Sequence, residues 1–284
     1  MKSGAIRPPA VAGTFYAGSA GGLRKQIEGC YLNDLGPGKL PELGQAPRHI
    51  KGLVSPHAGY MYSGHVAAYG FAAIAAEKKP HTVVILGPNH YGQGAPVSVS
   101  GADSWQTPLG AVPLDSDSIA RLMALNPLLQ KDDMAHSREH SLEVQVPFLQ
   151  HLYGDNFKLI PIALLRMDVI TCVALGQSLA AVLNPKDTLV IASSDFTHYE
   201  PARVAQTNDH MAIEPIERLD PEGLAETVTR LGVTMCGPGP IMAMMAASKA
   251  WGAKEGKLLC YATSGDVTGD RSQVVGYASL EVRG

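Results

Sequence analysis

The chain is poor in the features that most quickly betray a protein class. Four cysteines stand among 284 residues, at 30, 172, 236 and 260, with no CxxC pair and no regular spacing. That excludes a zinc ribbon and gives no disulfide framework, so the expectation is free thiols in a reducing compartment. Charged residues are only 17% of the chain and the formal net charge is -3. Lys and Arg are scattered rather than clustered, which argues against nucleic acid or an anionic membrane surface as a main partner. No apolar run approaches the ~18 residues of a spanning helix; Ile241 to Ala247 is the longest candidate and falls far short. The first residues, Met1 to Pro9, lack an unbroken apolar core, so no secretory signal is read and the expected location is cytoplasmic. No P-loop, no GxGxxG and no GxSxG elbow occur, leaving nucleotide binding and a serine nucleophile at Ser194 without support.

What the chain does have is alternation. Strand-like runs fall at Ile50–Val54, Thr82–Leu86, Leu159–Leu164, Leu189–Ala192, Leu258–Ala262 and Val274–Val282. Pro161 suggests that its strand lies near an edge or a bulge. Helical patterns lie between them, at Gly64–Glu77, Asp117–Met123, Glu139–Tyr153, Val169–Leu183 and Ile241–Trp251, the last with Pro240 suited to the first helical position. Such alternation predicts an αβα sandwich around a mostly parallel or mixed sheet. With no long polar linker, residues 1–284 read as one domain; Leu35–Pro47, rich in Gly and Pro, reads as a surface loop.

Three segments place a metal-friendly side chain in a tight turn. They are Ser-Pro-His57-Ala-Gly-Tyr, Gly-Pro-Asn-His90-Tyr-Gly and Thr-Met-Cys236-Gly-Pro-Gly-Pro. Ligands of open α/β sheets bind beyond the carboxyl ends of strands, and His57, His90 and Asp195 each follow an apolar run. Two imidazoles and a thiol delivered this way can share one ion. A single loop histidine is usually no more than a polar loop residue, and a thiol before a turn is often just buried; the joint pattern carries the argument. The run Ser193-Ser-Asp195-Phe-Thr-His198 adds an acid and an imidazole suited to orienting a ligand or moving a proton.

Two further patterns carry less. His136-Ser-Arg-Glu139-His140 formally matches the inverted zinc-protease motif, but the match is short and sits at a helix start. The favoured reading has Glu139 and His140 projecting towards the pocket. Met242, Met244 and Met245 fit core packing better than a copper relay.

Taken in order, Arg7-Pro-Pro-Ala-Val-Ala-Gly-Thr-Phe-Tyr16, Pro56-His-Ala-Gly-Tyr60 with Ser63-Gly64, Gly87-Pro-Asn-His90, Glu139-His-Ser-Leu-Glu143, Ser193-Ser-Asp-Phe-Thr-His198 and Met235-Cys-Gly-Pro238 resemble the Memo-like protein family. Its microbial members are called AmmeMemoRadiSam system protein B. The resemblance implies the fold of the class III extradiol dioxygenases, whose iron is held by two His and a carboxylate. It implies metal ligands at His57, His90 and Cys236, with Asp195, His198 and His140 lining the pocket in acid–base or orienting roles. It implies iron first, with copper or zinc as alternatives, and AMMECR1-like and radical SAM proteins as partners. The thiol in place of a carboxylate departs from the dioxygenases and removes ring cleavage as an automatic inference. Three functions stay open at this point: a metal-dependent redox enzyme, a non-catalytic metal-dependent adaptor or peptide-binding protein, and a metal-free hydrolase with Cys236 as nucleophile.

Overall fold

Four parallel strands form the centre of the molecule, and all are buried along nearly their whole length because helices cover both faces of the sheet. They are β2 (Ile50–Ser55), β9 (Thr188–Ser193), β3 (Thr82–Pro88) and β8 (Lys158–Leu164), adjacent in that order. The structure, a computed structural model, describes residues 5–284. Residues 1–4, where the stretch weighed as a secretory leader begins, lie outside the described residues.

Antiparallel strands extend the sheet at both sides. β12 (Val274–Arg283) runs against β2 and also pairs with β11 (Glu255–Thr263) and the short β10 (His198–Glu200). On the far side β4 (Val97–Val99) is antiparallel to β8 and parallel to β7 (Leu129–Lys131). A separate small sheet joins β1 (Ile6–Arg7), β5 (Ser104–Thr107) and β6 (Gly110–Pro113). The mixed αβα sandwich expected from the alternation is the fold observed.

One face is covered by α1 (Ala20–Leu32), α2 (Tyr60–Ala75) and α4 (Val146–Tyr153), with Phe71 stacked on Phe148 at 4.7 Å. The other carries α3 (Ser116–Leu125), α5 (Val169–Val182), α6 (Ala202–Glu217), α7 (Pro221–Leu231) and α8 (Pro238–Ala250). A short α9 (Ser264–Thr268) leads into β12. Helix α8 lies directly across β2, β3 and β9. Gly52 permits this approach, since a Cβ there would stand 2.2 Å from the Met244 sulfur. Met242, Met244 and Met245 are all buried in this core. Among the described residues, no helix is long and apolar enough to cross a membrane.

Several local expectations need correcting. The helix read over Glu139–Tyr153 starts later: Glu139 and His140 are in irregular chain, a 3-10 turn spans Glu143–Gln145, and α4 begins at Val146. Glu139 does not open a helix; its carboxylate accepts the N–H groups of His140 and Ser141 and is tied to His90 across the site. Strand β8 is interior, not an edge. Pro161 is tolerated there because β4 pairs only with Ile162–Leu164 and stops short of it. Helix α8 begins at Pro238, with Gly237 as its cap, ahead of Pro240. Cys30 and Cys172 are buried as expected, whereas Cys260 is half-exposed on β11.

Candidate metal centre

Neighbouring parallel strands end side by side, and their exit loops build the site. His57 leaves β2, Asp195 leaves β9 and His90 leaves β3, so three adjacent strands deliver three side chains to the carboxyl edge of the sheet. Cys236 arrives from the opposite direction, on the turn that starts α8. One ligand atom each from His57, His90 and Cys236 lie within 4.8 Å of one another. Bonds of ~2.0–2.3 Å from such donors to one ion are compatible with that spacing after small adjustments. The Cys236 sulfur is already 3.1 Å from His57 Nε2. His57 and His90 meet edge-to-face, with ring centroids 5.2 Å apart.

Each donor is held from behind. The His90 main-chain N–H and its Nδ1 both donate to Glu139, at 2.7 and 2.9 Å. An imidazole that gives its Nδ1–H to a carboxylate presents Nε2 as the free ligand atom. Glu139 is fully buried and also accepts the N–H groups of His140 and Ser141. Burial alone would raise its carboxyl; the His90 hydrogen bond and charge and the Ser141 N–H overcome this and hold it at about 2. Glu139, His90 and His140 also bring ligand atoms within 4.8 Å of one another. With both carboxylate oxygens committed to N–H donors, however, Glu139 serves as the support of His90 rather than as a ligand.

His57 is almost fully buried. Burial, reinforced by the charges of His140, His90 and His198, pushes it well below the usual imidazole range, so it stands neutral, the form that ligates metals. Its main-chain N–H donates to Asp195 Oδ1 at 2.7 Å, and its Nδ1 lies 2.9 Å from Ser193 Oγ. Asp195 was expected to orient an imidazole; instead it fixes the His57 main chain, and Ser193 meets the ring. Burial lifts the Asp195 carboxyl to about 6 against the hydrogen bond from His57.

Cys236 is half-buried. Its sulfur receives the Asp195 N–H at 3.2 Å, while its own N–H donates to the Asp195 carbonyl, also at 3.2 Å. Burial, then the Asp195 charge, pushes its thiol far above the ordinary range despite the N–H contact. A metal-free nucleophile needs the opposite. Burial of the thiol therefore counts against the hydrolase reading, whereas an ion that binds the sulfur would itself displace the proton.

His140 stacks on His90 at 4.7 Å and against Phe15 at 4.6 Å, and meets His57 edge-on at 5.4 Å. Burial brings it down to about 4, so it is a neutral proton acceptor at ordinary pH. His198 lies further out on β10. Its Nδ1 is fixed at 2.9 Å from the Thr234 carbonyl, and its charge reaches both His57 and Asp195. The protease-like pair does not form, because residues 136–140 are not helical. His136 is sealed off, its Nε2 3.2 Å from the Ser98 carbonyl and its ring edge-on to Trp105.

Sequence reasoning assigned no role to the residues that brace this loop. Arg7 donates to the carbonyls of His136 and Glu139 and forms a buried ion pair with Glu143. Glu143 also accepts the N–H groups of Ala10 and Val11 and the Tyr16 hydroxyl. The N-terminal segment is thus fastened to the loop that supports His90. The available signal was an acid at 143 in a largely apolar stretch, with a lone Arg7 far upstream.

Comparison with known proteins places the chain in a family and supports its fold. The model of the Memo-like protein family matches residues 7–281. A MEMO1 family protein of Methanopyrus kandleri is 49% identical over 279 residues, covering 98% of this chain and 99% of its own. MEMO1 family proteins of Methanothermobacter thermautotrophicus and Nitrosopumilus maritimus are 45% and 41% identical, each covering 97% of this chain and 99% of its own. Among solved structures, an uncharacterized protein, JW3007, from Escherichia coli K12 has a similar fold. Its TM-score is 0.54 at 12% identity, over 82% of this chain and 99% of that one.

Proposed function

The chain belongs to the Memo-like protein family, and on that premise we propose that it is a metal-dependent redox protein, with iron held by His57, His90 and Cys236 and with copper and zinc as rivals for the same donors. The observation that carries the reading is the convergence of two imidazoles and one thiol at the carboxyl edge of the sheet, with Glu139 already consumed in supporting His90. Three protein donors leave coordination positions for a substrate, unlike a closed four-ligand structural site. A redox-active ion bound there would supply electron transfer and polarise whatever fills those positions.

The chain's own residues supply the rest. His140, neutral, stacked on His90 and in tilted contact with Phe15, accepts a proton from a bound molecule. His198, pinned through Nδ1 to Thr234, offers its other nitrogen as a second proton carrier. Asp195 acts on two ligands at once, through the His57 main chain and the Cys236 sulfur. Acid–base help of this kind is worth ~10²–10⁴ in rate. The AMMECR1-like and radical SAM proteins are proposed as partners on the family resemblance alone, to be tested by co-purification with the metal-loaded protein.

The decisive experiment is elemental analysis of tag-free protein prepared without chelators, wild type beside His57→Ala. About one ion per wild-type chain and a clear loss in the variant are expected. Equal metal in both would end the reading. Anaerobic loading with Fe(II), followed by assay against aromatic and quinone substrates, then separates a redox enzyme from a metal-binding adaptor, which would show no metal-dependent turnover.

A further inference from the structure

Behind His57 lies a closed chain of hydrogen bonds in which every proton can be located. Ser193 is the last residue of β9, and its side chain is fully buried. Its Oγ is within hydrogen-bond distance of three groups: the Ser141 carbonyl at 2.6 Å, Gln145 Nε2 at 2.9 Å and His57 Nδ1 at 2.9 Å. Gln145 Nε2 also lies 2.9 Å from the Pro56 carbonyl.

The carbonyls of Pro56 and Ser141 can only accept. Pro56 C=O therefore faces the amide NH2 of Gln145, and this fixes the orientation of the Gln145 side chain. One of its hydrogens goes to Pro56 and the other to Ser193 Oγ. Ser141 C=O likewise requires the single hydroxyl hydrogen of Ser193. The hydroxyl then has two lone pairs, one already taken by Gln145. What remains is one acceptor site, facing His57 Nδ1. A nitrogen aimed at an acceptor in a dry interior must carry the hydrogen, since two facing lone pairs would leave both unsatisfied.

We propose that Ser193 and Gln145 are positioning residues that lock His57 in the Nδ1–H tautomer, so that its Nε2 faces Cys236 as a bare lone pair ready for a metal. This inference deepens the metal reading and rests on it for its consequence, although the tautomer itself does not. No member of the relay titrates in the ordinary range, because a hydroxyl, a carboxamide and two carbonyls do the work. The two imidazoles are consequently unequal: His90 is backed by a carboxylate, His57 by a neutral hydroxyl. A carboxylate partner raises the basicity of its ligand, so His90 is the stronger donor and His57 the more easily exchanged.

Three proteins test the proposal: wild type, Ser193→Ala and Gln145→Glu. Ser193→Ala removes the acceptor. Gln145→Glu replaces the NH2 with an acceptor that competes for the hydroxyl hydrogen and faces the Pro56 carbonyl unfavourably. The first readout is the long-range 15N–1H spectrum of metal-free protein, which reports which ring nitrogen of His57 is protonated. Wild type is expected to show Nδ1–H with bare Nε2, and both variants a shift towards Nε2–H or a mixture. The second readout is Zn(II) affinity, a diamagnetic probe measured by competition with a chelator. A loss of about 10–100-fold is expected in Ser193→Ala, the range found when a group orienting a ligand is removed. Ser193→Thr, which keeps the hydroxyl, is expected to restore both signals. Folding of each variant is checked by the dispersion of the same spectra. Wild-type His57 protonated on Nε2 would overturn the proposal. So would a folded Ser193→Ala that keeps the wild-type tautomer and binds Zn(II) within about twofold of wild type. Nδ1–H in wild type without any Zn(II) uptake would support the relay while sinking the metal reading, so the two failures are distinguishable.

Discussion

Replacing Glu139 with Gln tests the electrostatic heart of the site without changing its shape. The carboxylate is fully buried and receives four N–H donors: the main chains of His90, His140 and Ser141 and the His90 ring. These partners hold its carboxyl at about 2 against an ordinary 4.5, in opposition to burial. A carboxyl lowered by folding stabilises the fold fully above its unfolded value and loses that contribution as pH falls through its folded value. The contribution is roughly 3 kcal/mol near neutral pH, and about 1 kcal/mol of it is gone by about pH 4. In Glu139→Gln one oxygen becomes an NH2 that faces a donor, so the group can no longer satisfy all four. Urea unfolding of the metal-free proteins should therefore show the variant about 3 kcal/mol less stable at neutral pH, with the gap about 1 kcal/mol narrower at about pH 4. Comparing the two proteins cancels the titration of groups that do not feel the Glu139 charge; His136 and His140 do feel it, so the variant is also compared in a His140→Gln background. A gap under about 0.5 kcal/mol, the ordinary scatter of a surface change, or one that does not narrow on acidification, would refute the argument. Zn(II) affinity of the same variant should fall about 10–100-fold through the lost support of His90.

Three further outcomes follow from individual contacts. Cys236→Ser should fold normally but lose soft-metal affinity by more than about 100-fold, the upper end of losses seen on removing groups behind a ligand, as read by copper or zinc competition. Arg7→Met strips the buried Glu143 of its cation and should cost about 3 kcal/mol, the low end for a broken buried pair, because Ala10, Val11 and Tyr16 still donate to it; urea midpoints measure this. Gly276→Ala would place a Cβ 1.9 Å from the buried Asp209 Oδ2, which otherwise receives the Tyr261 hydroxyl. Overpacking of about 1–3 kcal/mol should lower the melting temperature of that variant.

Much of the architecture was legible because the central strands announce themselves. Val83 to Leu86 and Leu189 to Ala192 are continuous apolar runs, and only a sheet covered on both faces tolerates these. The Gly and Pro residues after β3 and before α8 marked the exits where His90 and Cys236 sit. Helices α6 and α7 were missed because each buries only a narrow stripe; α6 buries Ala205, Asp209, Ala212, Ile213 and Ile216, carries Pro215 inside, and reads as polar. The strands β4 to β7 are three or four residues long and leave no period to detect. At the site, the turn positions of His57, His90 and Cys236 could be read, but their supports could not. Ser193 and Gln145 are 48 residues apart and meet only through the packing of the end of β9 against the 3-10 turn before α4. No local pattern encodes such a contact.

In the proposed metal site, a thiol rather than a carboxylate as third donor would separate this pocket from a hard-ion site. Cys236 sits where burial and the Asp195 charge strongly favour the protonated thiol. An incoming ion must expel that proton, and ions that bind sulfur weakly gain too little to do so. Magnesium and calcium prefer oxygen ligands, whereas the proposed donors are two imidazoles and a thiol. Iron, copper and zinc all accept this donor set. The Asp195 N–H, 3.2 Å from the sulfur, lowers the cost of the thiolate once formed. The same loop that disfavours the free thiolate through its carboxyl thus stabilises the ligated one through its backbone. With His57, His90 and Cys236 as the proposed donors, such a pocket would disfavour hard cations through donor chemistry and take up only ions able to displace the thiol proton.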